Sequence, residues 1–329
     1  MVRPFHARRP GLTRRLGSLA FGTVLIAGCG APDAPTPMFS GDFTEFPVSV
    51  GARIIEPAES PPPATEPSSC APTASLRPGI AGIGVTLDEI RARGTLIVAV
   101  DQNTNLFSFR DPTTGTLTGF GVDVAREVAR DLLGDPGKVE FRPLGSDDGA
   151  DMLAHRDADL IVRPIALPCE SPQDLAFSTV YLETPRRLIV RDGSGISEPA
   201  DLARRRVCTH DDPASVSALS RMAPKATILA VPDWDDCLMA IQQRQVDAVV
   251  GAALLAGLVA QDPNLDIVGP DSDSARYAIA LAPGNDDLVR FVNGTLQRVR
   301  TDGTWTALYD RWLSPLGPAP APPSPEYRD

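Results

Sequence analysis

Cysteines carry the most explicit covalent chemistry in this chain. Cys29 follows Ile26-Ala27-Gly28. Small residues just before a cysteine form the site that lipoprotein signal peptidase cuts, and the freed thiol takes a diacylglyceryl group. Two or more acyl chains anchor stably, at about 0.8 kcal/mol per buried CH₂. Arg3, Arg8, Arg9, Arg14 and Arg15 precede it as a positive region, and residues 19–27 form an apolar run too short to span a bilayer comfortably. Thr13-Arg14-Arg15 leaves both general and twin-arginine export open. Of the five cysteines, Cys70, Cys169, Cys208 and Cys237 then remain. An even set in an exported chain reads as disulfides. Among three connectivities the expected one is Cys70–Cys169 with Cys208–Cys237, because Cys208 ends an expected strand and Cys237 lies on a helix of the same unit. No C-x₂-C pair argues for a metal.

Catalytic signatures are missing. There is no G-x-S-x-G, H-E-x-x-H or G-x-x-x-x-G-K. Of three histidines, His6 lies in the leader, and His155 and His210 read as surface or helix-end residues. The reading is therefore not an enzyme, with no cofactor. A net charge of −11 lacks the basic stripe that nucleic acid requires.

The elements that must position any site lie in the middle of the 329 residues. Residues 1–28 read as a lipoprotein signal peptide. Residues 29–85 read as a Pro-rich tether, centred on Pro61-Pro62-Pro63, which buries too little apolar surface to order itself. Residues 314–329 form a Pro-rich tail. Between them strands and helices alternate. Apolar runs at 96–100, 139–144 and 158–165 read as strands. Val124, Val128 and Leu132 share a helix face, and Gly134 stops that helix. Thr86-Leu87-Asp88-Glu89 reads as a capping box. A second unit alternates strands at 207–209, 228–231, 248–250 and 267–269 with helices at 213–222, 234–243 and 252–260. Asn285-Asp286-Asp287 opens a helix with Leu288, Val292, Leu296 and Val299 on one face, and Thr304 caps a last helix. Alternation implies open parallel-type sheets, with ligands beyond the strand C-terminal ends.

Several segments resemble one family. They are 94–100 (Gly-Thr-Leu-Ile-Val-Ala-Val), 106–111 (Leu-Phe-Ser-Phe-Arg-Asp) and 115–125 around Gly119-Phe120-Gly121-Val122-Asp123. Ala176-Phe177-Ser178-Thr179-Val180-Tyr181 and Asp302-Gly303-Thr304-Trp305, with Tyr309 and Trp312, complete the set. Over about residues 88–313 the chain resembles the extracytoplasmic solute-binding proteins of polar-amino-acid ABC transporters (family 3), most of all their glutamate-binding lipoproteins. The resemblance implies an α/β fold of two lobes joined by two hinge strands, as in periplasmic binding proteins. Lobe one would comprise 86–186 and 275–313, and lobe two 187–274. It also implies a small-molecule solute, and a permease or membrane receptor as partner, on the outer face of the cell membrane.

The family holds an amino acid with Thr-x-Glu-Arg after the third strand, Gly-Thr-Thr at the first helix of lobe two, and an aspartate beyond the strand that here reads Asp247-Ala248-Val249-Val250. This chain departs at all three. Ser171 stands where the clamping arginine would be, after Ala166 and Pro168-Cys169-Glu170. Asp212-Pro213-Ala214 replaces Gly-Thr-Thr, and Pro213 has no N–H to donate. Gly251-Ala252-Ala253 supplies no acid. Losing a charge-assisted pair turns micromolar binding into millimolar or worse. The candidate contacts are Asn105, Phe107, Arg163, Ala166, Ser171, Asp211, Asp212 and Ser215. Each has a second reading. Arg163 either faces a ligand or pairs with an acid. Phe107 either resembles the family's wall over the ligand or belongs to the core. Asn103 and Asn105 either touch ligand or cap a loop. Asp211 and Asp212 either favour a cation or cap the helix at Pro213. The expected function is a membrane-anchored solute-binding lipoprotein of a glutamate/glutamine-like transport or sensing system with an altered ligand. The alternative is a ligandless module that reports to a membrane partner.

Overall fold

The computed structural model describes residues 47–57, 74–79, 82–145, 149–163 and 174–329. Cys29, Cys70, Ala166, Cys169 and Ser171 lie outside the described residues.

Two short strands come first, β1 (Arg53–Ile55) and β2 (Ala74–Ser75). The first lobe then opens with α1 (Val85–Arg93) and β3 (Leu96–Val100), whose five residues are all buried. A small three-stranded sheet follows, of β4 (Asn103–Thr104), β5 (Ser108–Arg110) and β6 (Leu117–Thr118). Next comes α2 (Phe120–Leu133), which buries Val124, Val128 and Leu132 and ends at Gly134 in the left-handed conformation (φ 74°). The lobe continues with β7 (Val139–Pro143), α3 (Gly149–Ala154), β8 (Leu160–Ile161) and β9 (Ala176–Phe177). β7 and β8 flank β3 in parallel, as consecutive β-α-β units require.

The chain leaves on β10 (Leu182–Pro185) and builds lobe two. This comprises β11 (Arg187–Arg191), β12 (Arg206–His210), α4 (Pro213–Met222), β13 (Thr227–Val231), α5 (Trp234–Gln242), β14 (Ala248–Gly251), α6 (Leu255–Gln261) and β15 (Leu265–Val268). It returns on β16 (Ser274–Tyr277), which pairs antiparallel with β10 as a two-stranded hinge. β17 (Ala280–Leu281), α7 (Asp286–Thr301) and α8 (Thr304–Trp312) complete lobe one, and β18 (Glu326–Tyr327) ends the chain. The lobe-one sheet runs β7-β3-β8-β17-β9, with β17 antiparallel to both neighbours. The lobe-two sheet runs β1-β13-β12-β14-β11-β15. Its parallel centre of β12, β13 and β14 is edged by antiparallel strands, so both sheets are mixed rather than purely parallel.

The terminal segments differ from the expectation of unordered spacers. β1 adds an antiparallel edge strand to lobe two and buries Ile55 in its core. β2 pairs in parallel with β18 on lobe one. Asn293, fully buried on α7, fixes this second contact. Its Oδ1 accepts the Thr179 N–H (2.7 Å), and its Nδ2 donates to Ser75 Oγ (2.8 Å) and the Leu76 carbonyl (2.7 Å). Averaged composition hides such pieces: two isoleucines in a proline-rich stretch suffice for one edge strand, because an existing edge already presents free N–H and C=O groups.

Local caps also differ. The Thr86–Glu89 box does not form. Asp287 Oδ2, on α7, accepts instead from Thr86 N (2.8 Å) and Leu87 N (3.3 Å), so a distant carboxylate caps α1. Thr304 is the first residue of α8 rather than its cap, and Asp302 Oδ1 accepts its N–H at 2.9 Å.

Cys208 on β12 and Cys237 on α5 form the expected disulfide, closing 29 residues within lobe two. Loop-closure entropy sets its contribution at about 3–4 kcal/mol. The Cys208→Ala/Cys237→Ala variant is accordingly expected to lose about 3 kcal/mol in denaturant unfolding. A loss below ~1 kcal/mol would contradict this.

Candidate functional site

The two sheets point the C-terminal ends of their parallel strands at one another, where open α/β sheets place ligands. A partly open cleft cavity of about 60 Å³ lies there, between the lobes and against the hinge. Each wall starts where a strand stops. Asp101 follows β3, Arg163 follows β8, His210 ends β12, Pro232 to Asp235 follow β13, and Gly251 ends β14.

Asp101 and Arg163 form an ion pair (Nη2 to Oδ1 3.5 Å) with both side chains largely buried. Burial pushes the Asp101 carboxyl above the ordinary carboxylate range, against the opposing pull of Arg163 and His210. Arg163 therefore lines the cavity and pairs with an acid, though as a largely buried side chain rather than a surface one.

Asp212 caps α4, its Oδ1 accepting the Ser215 N–H at 2.9 Å, while Oδ2 lies 3.1 Å from His210 Nδ1. Burial raises its carboxyl, but the hydrogen bonds from His210 and Ser215 outweigh this and hold it below the usual range. Asp212 and Ser215 both line the cavity. Asp211 does not. It turns outward to pair through both carboxylate oxygens with Arg53 of the terminal strand. Its place is thus structural, a correction to its candidacy as a ligand contact.

Phe107 also lies elsewhere. It is 1% exposed, packs on Phe120 with ring centroids 6.0 Å apart, and belongs to the lobe-one core. Asn105 closes the cleft from outside the cavity: its Nδ2 donates to the Gly257 carbonyl on α6 at 3.0 Å. Asn103 lines the cavity and donates to Asp233 Oδ1 at 3.4 Å, a second contact between lobes.

Several cavity residues escaped the sequence reading, among them Asp101, Asp233 and Asp235 as well as His210, Trp234 and Arg186. The His210 ring stacks on Trp234, centroids 5.8 Å apart and planes at 22°, forming an aromatic wall. His210 thereby lines the cleft at the end of β12 rather than lying at the surface or a helix end, whereas His155 bonds its own turn through Asp151. Arg186, buried directly after β10 at the end of the hinge, bonds Asp273 Oδ2 at 2.8 Å. A usable signal existed: Asp233-Trp234-Asp235 follows a strand end directly, the position at which ligand contacts occur in such sheets.

Comparison with known proteins is consistent with this geometry. Residues 96–315 match the model of the bacterial extracellular solute-binding proteins, family 3. The chain is 28% identical over 230 residues to the ABC transporter glutamine-binding protein GlnH of Bacillus subtilis, covering 69% of this chain and 84% of that protein. It is 30% identical to the glutamine-binding protein of Geobacillus stearothermophilus, covering 64% and 81%. Among solved structures, an ancestral amino-acid-binding protein, a precursor of cyclohexadienyl dehydratase, superposes with a TM-score of 0.60 at 28% identity, covering 70% of this chain and all of that one. An ancestral arginine-binding protein bound to arginine gives 0.58 at 28% identity, covering 67% and 98%.

Proposed function

Because the chain belongs to the bacterial extracellular solute-binding proteins, family 3, we propose that it binds a small polar solute between its lobes for an amino-acid-type ABC transport or sensing system. One observation carries this reading: a cleft cavity at the strand ends of two hinged lobes, lined by converging charged side chains and an aromatic wall. Solute bridging the lobes stabilises the closed form by its differential affinity, and the closed form is what a membrane partner distinguishes. Acylation at Cys29 holds the protein at the outer face of the membrane.

The binding is not the family's ordinary grip on a free amino acid. Pro213 removes one N–H at the start of α4, and Asp212 occupies the N–H of Ser215. A solute carboxylate at that helix end would meet a resident carboxylate.

Native mass spectrometry of the protein isolated from the cells that make it tests the reading. A one-to-one small-molecule adduct, lost on unfolding, is expected. Bare protein throughout would overturn it in favour of a ligandless module.

A further inference from the structure

The cavity's charge inventory points to the class of solute, an inference that rests on the solute-binding reading above. Its walls carry four carboxylates, Asp101, Asp212, Asp233 and Asp235, against two guanidinium groups, Arg163 and Arg186. A protonated His210 would still leave the acids in excess. Both arginines already hold protein acids, Arg163 with Asp101 (3.5 Å) and Arg186 with Asp273 (2.8 Å). The Asp212 carboxylate is held by Ser215 N and His210. An anionic solute would therefore enter an acidic cleft whose arginines are engaged and whose nearest helix end is capped from within.

Asp233 and Asp235 are different. Asp233 stands at the N-cap of α5 and Asp235 in its first turn, on either side of Trp234; burial and the neighbouring Asp233 and Asp236 raise the Asp235 carboxyl, a cost that a positive group beside it would relieve. Their partners are neutral amides: Asn103 reaches Asp233 at 3.4 Å, and Gln261 bonds Asp235. Two carboxylates beside an indole that already stacks a ring form a receptor for a positive group, which the carboxylates attract and the ring face complements.

We propose that the solute is a small organic cation, an ammonium or guanidinium compound whose positive group faces Asp233 and Asp235 beside Trp234, with no carboxylate seated at the start of α4.

Calorimetric titration of the mature protein with matched pairs tests this: putrescine against L-ornithine and agmatine against L-arginine, with L-glutamate and L-glutamine for contrast. Each pair shares its cation and differs by a carboxylate. The amines are expected to bind at least as tightly as their amino-acid partners and at least about tenfold more tightly than L-glutamate. Asp233→Asn and Asp235→Asn are expected to weaken amine binding about tenfold or more with unchanged melting, while Asp211→Asn leaves it unchanged. Tight L-glutamate or L-glutamine binding without amine binding would overturn the cation assignment and leave the solute-binding reading standing. Binding of none of the six would also overturn the assignment, and the mass of the isolated protein then decides the solute-binding reading separately.

Discussion

Gly257→Ala is expected to stabilise the unliganded protein slightly while weakening solute binding about tenfold to a hundredfold. Gly257 lies within α6 of lobe two, where alanine is favoured over glycine by about 1 kcal/mol. In this structure, where the lobes touch, a Cβ at this position would stand 2.3 Å from the Asn105 carbonyl oxygen of lobe one and 3.0 Å from its carbon. The obstacle is backbone, so it cannot swing aside as a side chain would. Overpacking of this kind costs about 1–3 kcal/mol, and here it falls only on the closed state. The same contact carries the Asn105 Nδ2 to Gly257 carbonyl bond at 3.0 Å, which a separation of the lobes breaks. Thermal melting and calorimetry on one preparation check both halves. Unchanged affinity would show that closure does not bring these residues together.

Trp305→Ala is expected to cost about 3–5 kcal/mol, the largest single loss of stability argued from this structure. The indole is 2% exposed, stacks on Tyr309 with centroids 5.3 Å apart, and donates from Nε1 to the Tyr181 carbonyl at 2.7 Å. Tyr181 stands directly before β10, so this bond ties α8 to the root of the hinge. Trp305→Phe keeps much of the packing but leaves a buried carbonyl unpaired, and is expected to cost about 1–3 kcal/mol. Urea unfolding measures both. A loss below ~1 kcal/mol for the alanine variant would contradict the packing account.

Both predictions use residues of very different legibility. Trp305 belongs to a local motif readable in one dimension, and its helix follows from apolar spacing. The same holds for β3, a continuous apolar run, and for α4, which begins at Pro213 behind Asp212 and spans Pro213–Met222 as its cap and period indicate. The cap of α1 was illegible because its carboxylate, Asp287, lies about two hundred residues away. β1 was illegible because its strand identity comes from the edge of β13 and not from its own proline-rich surroundings.

The site divides along the same line. Arg163, Asp212 and Ser215 could be nominated because each sits at a strand end or helix start that periodicity locates. Whether Asp211 or Asp212 faces inward is a matter of one residue's rotation about the chain. It was settled by Arg53, a partner from the terminal strand. His210 and Trp234 become a wall only when β12 and α5 are packed together, and neither residue announces the other in sequence. Gly257 has no chemistry of its own; its role exists only where two lobes meet.

Small-angle scattering tests the central claim, closure of hinged lobes on a small solute, most directly. Protein stripped of small molecules by unfolding and refolding with its disulfides intact is compared before and after addition of the small-molecule fraction of its source cells. The account predicts that the radius of gyration falls in the wild type and stays at the open value in Gly257→Ala. A wild-type radius that does not respond would contradict it.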